Sequence, residues 1–188
     1  PWDGAVSITL KEVPEKKPLS LFLRVPEWCT KATLAVNDVP VTTDLKAGTY
    51  AEIKRIWKKG DRVAFVMGME PVLLESHPLV EETRNQVAVK RGPVVYCLES
   101  MDVEAGKRID DILIPADIKF SLVKTEIAGS RVTVLDGIAH SVDSDSWEGK
   151  LYRKVAENGD RIPIRLIPYY AWGNRGESEM TVWMLLER

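Results

Sequence analysis

Leu19-Ser20-Leu21-Phe22-Leu23-Arg24-Val25 is the stretch that decides the fold class. Leu19, Leu21, Leu23 and Val25 fall on one side of an extended chain, and Ser20, Phe22 and Arg24 on the other. That period of two is the signature of a half-buried strand. Val6-Ser7-Ile8-Thr9-Leu10, Ala32-Thr33-Leu34-Ala35-Val36 and Arg131-Val132-Thr133-Val134 repeat it. Turn chemistry separates such runs at Asn37-Asp38, Ala47-Gly48, Lys59-Gly60-Asp61, Gly129-Ser130 and Asn158-Gly159. Asn158-Gly159 is the sharpest, because a type I′ turn takes positive φ at both central residues and this pair adopts it at the least steric cost. No long stretch holds a clean 3.6-residue period, and only Leu79 to Gln86 suggests a turn or two of helix. Short strands separated by turns define an all-β chain built as sandwich or barrel.

A seam is expected between Met69-Glu70-Pro71 and His77-Pro78, where two prolines bracket a short apolar stretch. Proline removes a ladder donor, so this reads as a crossing segment and not a paired strand. Beyond it the expected strands are Gln86–Val89, Val94–Glu99, Ile112–Ile114, Phe120–Thr125, Arg131–Leu135, Leu151–Val155 and Ile162–Pro168. The polar run from Ser141 to Gly149 reads as a surface loop.

The chain has 188 residues, with 26 Lys+Arg against 28 Asp+Glu, a net charge of −2. That balance argues against nucleic acid, which calls for a clustered basic face. Val94-Val95-Tyr96-Cys97-Leu98, among the longest apolar runs, falls far short of the roughly 20 residues that cross a bilayer as a helix. No membrane partner is expected. Cys29 and Cys97 read as two buried free thiols. The chain opens on Pro1-Trp2-Asp3-Gly4 without Met or a leader, so it reads as a piece of something longer, and its compartment is not legible.

Chemistry-bearing constellations are sparse. Zinc needs three or four Cys, His or carboxylate ligands, and two Cys with His77 and His140 show no ligand spacing. Asp143-Ser144-Asp145-Ser146-Trp147-Glu148 alternates oxygen ligands but lacks the glycine and further carboxylates of a calcium loop, so it reads as a solvated acidic loop. Glu81-Glu82 and Asp110-Asp111 are neighbours, which on a strand point to opposite faces and cannot flank one bond. There is no Gly-x-Ser-x-Gly elbow. Glu75-Ser76-His77 could orient an imidazole, but a histidine beside Pro78 reads as a loop cap. No catalytic residue and no cofactor are expected within the chain.

The aromatic residues carry more. Tyr169-Tyr170-Ala171-Trp172-Gly173-Asn174-Arg175-Gly176 is dense in rings and closes on a tight loop. Two readings stand: the rings plug a sandwich end or a domain seam, or they stack on sugars. Tyr169, Trp172 and Arg175, with Trp147 in the acidic loop, are the candidate contacts to sugar or to a neighbouring domain.

Five stretches, in order along the whole chain, resemble the C-terminal region of glycoside hydrolase family 127, the bacterial β-L-arabinofuranosidase family. They are Pro1-Trp2-Asp3-Gly4, Leu23 to Cys29, His77 to Glu82, Val87 to Glu99 and Ile167 to Gly176. The resemblance implies a helical catalytic barrel followed by two β-sandwich domains, the second inserted in the first. On that pattern residues 1–72 with 176–188 form the first sandwich, lacking its opening strands, and residues 73–175 the second. Met180-Thr181-Val182-Trp183-Met184 would be the C-terminal strand returning to the first. An edge left by missing strands would need shielding by a second copy, a rearrangement or a polar rim. The family's cysteine nucleophile, glutamates and zinc belong to the upstream barrel, and Cys29 and Cys97 match neither nucleophile nor ligand. The resemblance therefore implies a non-catalytic support for that barrel, with the barrel itself and plant-derived glycans as partners. A carbohydrate-binding module using exposed aromatics is the alternative.

Overall fold

The structure is a computed structural model that describes residues 3–14, 16–142, 149–154 and 159–188. It is all-β: among the described residues, helix is limited to single 3-10 turns such as Glu81–Thr83, where the sequence suggested a short helix. The chain divides into two compact units, Pro1–Glu70 and Pro71–Arg188.

The first unit contains β1 (Ala5–Thr9), β2 (Pro18–Arg24), β3 (Ala32–Val36), β4 (Val39–Pro40), β5 (Tyr50–Ile56) and β6 (Arg62–Met67). Strands β1-β6-β3-β4 form one sheet and β2-β5 a second. The opening stretch behaves as its alternation requires. Leu23 pairs with Ala51 and turns inward, whereas Phe22, opposite Glu52, stays exposed. Leu23, Ala51 and Ile53 from the two-stranded sheet join Leu34, Val36, Val63 and Phe65 from the other sheet in one core. Each such aliphatic side chain withdrawn from water contributes roughly 1.5–3 kcal/mol before entropy is subtracted. Trp57 seals the core with its Nε1 donating to the Leu19 carbonyl at 2.9 Å.

Two of the turns read from sequence interlock. Asn37 and Asp38 take φ of 51° and 65° between β3 and β4. Asn37 Nδ2 donates to Asp61 Oδ1 at 2.8 Å, and Arg62 N donates to Asn37 Oδ1 at 2.8 Å. Lys58 N donates to Asp61 Oδ2 at 2.8 Å. The Asn37 amide, then the Lys58 amide, hold the Asp61 carboxyl below its ordinary value.

The second unit contains β7 (Pro71–Leu74), β8 (Gln86–Arg91), β9 (Val94–Glu99), β10 (Ile112–Pro115), β11 (Ser121–Ile127), β12 (Ser130–Ser141), β13 (Asp160–Pro168), β14 (Met180–Thr181) and β15 (Met184–Glu187). Six of these close into a barrel in the order β8-β9-β13-β12-β10-β15 and back to β8. Every step is antiparallel except β10–β15. Gly92, at φ 57°, opens the turn from β8 to β9 where Pro93 follows. Odd positions of β12 (Leu135, Ala139) and even positions of β13 (Ile162, Ile164, Leu166) fill the interior with Tyr96 and Leu98 of β9. The opposite face of these strands packs a separate cluster at one end: Cys97, Val132, Val134 and Ile167 beneath Ile127 and Ala171.

The structure corrects the sequence reading at three points. Pro71–Leu74 is a paired strand, its proline standing at the first position where the missing donor does least harm. Residues 151–154 form no strand, although one was expected over Leu151–Val155. The 176–188 segment does not return to the first unit: Met180 pairs with Glu99, Met184 with Val87, and Leu186 with Ile114, all in the second. That segment is needed to close the ring, which a pair of open sheets would leave with edges. Asn158 and the residues 143–148, which include Trp147, lie outside the described residues, so the Asn158-Gly159 turn and the acidic loop are not seen.

Candidate functional site

Glu99 ends β9 with a side chain wholly shielded from solvent. Burial pushes its carboxyl pKa up, but Gly173 N donating at 2.8 Å, the Arg175 guanidinium and Ser178 Oγ at 3.1 Å hold it below its ordinary value. Arg175 Nε donates at 3.1 Å and its Nη2 also reaches Glu99, while Nη1 donates to Asp102 Oδ1 at 3.0 Å and Nη2 to Oδ2. The two carboxylates, Asp102 first, raise the Arg175 pKa. Glycines permit this loop: Gly173 (φ 73°) and Gly176 (φ 136°) occupy backbone that L side chains rarely adopt. The arrangement is a clamp. It ties the Tyr169–Glu179 loop to the end of β9.

Beside the clamp lies an open groove of about 630 Å³ on the outer face of the β12–β13 ladder. That ladder pairs Asp136 with Arg165 and Ile138 with Pro163. Arg165 Nε and Nη2 donate to the two Asp136 oxygens, both at 2.7 Å. Arg165 thereby lowers the Asp136 pKa and has its own raised. The pair stands at a boundary. On one side of it Val134 and Ile167 are buried in the outer cluster; on the other, Ile138 and Pro163 face the groove. Met101 to Glu104 line it from one direction and Lys119 and Ser121 from another.

The structure brings one of the sequence candidates into this network and leaves two at its margin. Arg175 turns inward to Glu99 and Asp102. Tyr169 (46% exposed) and Trp172 (42%) belong to none of the core clusters, and Ala171 between them is buried instead. Trp147 is outside the described residues. Glu99, Asp102, Asp136 and Arg165 escaped the sequence reading. One signal was available: Glu99 ends the apolar run Val94–Leu98, and a carboxylate at the end of a buried strand must find partners. His77 is the loop cap its context suggested, its Nδ1 accepting from Leu79 N at 3.2 Å.

No group of three His, Cys, Asp or Glu stands together among the described residues. Both thiols are buried, and burial together with the Glu99 charge pushes Cys97 up to about 12, away from the thiolate that zinc takes.

The class these features define is an all-β chain of two units in which a buried acid, a second acid and a shared base clamp a loop. Residues 71–185 match the glycoside hydrolase family 127 C-terminal domain, and residues 1–69 match the beta-L-arabinofuranosidase GH127 middle domain. The chain belongs to glycoside hydrolase family 127, as the region of its middle and C-terminal domains. The boundary between the two matches falls where the structure divides, and the second extends through β14 into β15. The non-reducing end beta-L-arabinofuranosidase of Bifidobacterium longum subsp. longum is 30% identical over 97% of this chain. A solved glycoside hydrolase superposes on the whole chain with a TM-score of 0.92 at 60% identity. A beta-L-arabinofuranosidase of the same family from Geobacillus stearothermophilus T6 does so at 0.87 and 38%. The chain spans only 29%, 31% and 29% of these three proteins' lengths, respectively.

Proposed function

We propose that this chain is the non-catalytic β part of a family 127 glycoside hydrolase that cleaves arabinofuranosyl or related glycosidic bonds in plant glycans. Its partner is a helical catalytic barrel in the same polypeptide, which it buttresses. The observation that carries the reading is the Glu99–Arg175–Asp102 clamp. Its acids and base are bonded to one another, with Glu99 at zero exposure, so this cluster holds a loop and leaves none of its own groups poised for proton transfer. The relatives' own names, and the small share of their length that this chain spans, support the same reading. The architecture that goes with it is a first unit built as a β-sandwich, supported by the core shared between its two sheets, and a second unit that has closed its edges.

The test uses this chain and the 60%-identical relative in full length. The purified chain should not hydrolyse p-nitrophenyl arabinofuranosides, and deleting the matching region from the relative should lower its melting temperature and yield. Turnover by the chain alone, or a truncated relative with unchanged stability and rate, would overturn the proposal.

A second reading rests on the half-exposed Tyr169, Tyr170 and Trp172, held on a clamped loop: a stacking surface for arabinose-containing glycans. Quenching or enhancement of tryptophan fluorescence by arabino-oligosaccharides, lost in Trp172→Ala, is its expected sign.

A further inference from the structure

We propose that the outer groove on β12–β13 is a binding site for a neutral saccharide, separate from the Tyr169–Trp172 surface and independent of whether the chain buttresses a barrel. Its size lies within the range of small-molecule sites. Its lining carries both signs: the acids Asp102, Glu104 and Asp136 and the bases Lys119 and Arg165. An anion would meet three carboxylates and a metal cation would meet two positive charges, so neither is favoured. A hydroxyl donates and accepts at once, and a surface offering both functions suits a molecule made of hydroxyls.

Unused capacity is present. Asp136 accepts one bond at each oxygen and Arg165 donates through Nε and Nη2, leaving Nη1 and further lone pairs without a partner among the described residues. The side chains of Lys119, Glu104 and Ser121 likewise make no hydrogen bond or ion pair among the described residues. The rigid half of the site is already paid for in ordering entropy, because Asp136 and Arg165 fix one another and Asp102 is fixed by Arg175. Between the polar groups, Ile138 and Pro163 form an apolar step on which the C–H face of a sugar ring can rest.

The experiment is a titration of the 188-residue chain with maltotriose and with arabinotriose, followed by ¹⁵N–¹H correlation spectra. Shift changes should concentrate at residues 101–104, 119–121, 136–138 and 163–165, with affinity in the millimolar range. Lys119→Ala and Glu104→Gln, both at exposed positions, should each weaken binding by about fivefold without moving the melting temperature. Inorganic phosphate and spermidine should leave these resonances in place. Silence of the groove with both trisaccharides would overturn the proposal. So would stronger perturbation by either charged probe, changes confined to Tyr169–Trp172, or unchanged affinity in both variants.

Discussion

Arg175 meets Glu99 across 76 positions of sequence, its Nε 3.1 Å from a carboxylate that has no solvent exposure. The loop that carries the aromatics is therefore anchored by a base shared between two acids, of which Glu99 cannot be rehydrated without opening the end of β9.

Removing the base alone should be costly. Arg175→Met leaves Glu99 buried with only the Gly173 amide and Ser178 hydroxyl, and breaking a buried pair in this way costs about 3–5 kcal/mol. Urea unfolding should show that loss, and the double variant Arg175→Met with Glu99→Leu should recover a large part of it. A loss below about 1 kcal/mol would show that the clamp holds nothing.

Acid should loosen the second unit through the same groups. Glu99 and Asp136 have folded pKa values below their ordinary 4.5 and 3.8, so the folded state binds protons later than the unfolded one. Their stabilising contribution is complete above those ordinary values and is lost as pH falls through the lower, folded ones. Melting temperatures should hold steady down to about pH 5 and fall below about pH 4, with a shallower fall in Asp136→Asn. An equally steep acid limb in that variant would remove Asp136 from the account.

Both cysteines should be silent until the chain unfolds. Cys29 and Cys97 are free and buried, and Cys97 is pushed up to about 12, where the reactive thiolate is scarce. Ellman's reagent at neutral pH should titrate neither thiol in the native protein and both in guanidinium.

Two glycines with the same backbone sign should respond unequally. A Cβ at Gly4 (φ 68°) would lie 2.2 Å from the Met67 carbonyl oxygen, whereas one at Gly129 (φ 77°) would meet nothing within 4 Å. Gly129→Ala should cost about 1 kcal/mol, the strain of the left-handed conformation alone. Gly4→Ala should cost several times that, because Met67 donates from its own amide to the Gly4 carbonyl at 3.0 Å and cannot move aside. Equal losses in thermal denaturation would show that the β1–β6 edge yields freely.

Period-two alternation was enough to read the all-β class and located β2 and β3 closely, because each has one face in a core; β8, β9 and β13 were legible as short apolar runs, and β9 and β13 bury both faces. Closure of the ring was not legible. It depends on Leu113 pairing in parallel with Leu185, and parallel pairing between distant segments leaves no local turn signal. The strand expected at Leu151–Val155 failed for the complementary reason: Leu151 and Tyr152 are almost fully exposed, so their apolar character reflects no packing. The candidate site was half legible. Glycines at 173 and 176 marked a tight loop, but the destination of Arg175 depended on Glu99 and Asp102, whose roles only the assembled chain reveals.

Because Met184–Glu187 supplies the stave between β8 and β10, the second unit cannot seal while those residues are still inside a ribosome's exit tunnel. A nascent chain halted before them would leave two bare stretches, Gln86–Val87 on β8 and Leu113–Pro115 on β10, each a template for errant pairing with another polypeptide. Synthesis of this half is thus closer to lacing a boot than to stacking bricks: tension comes only with the final pull.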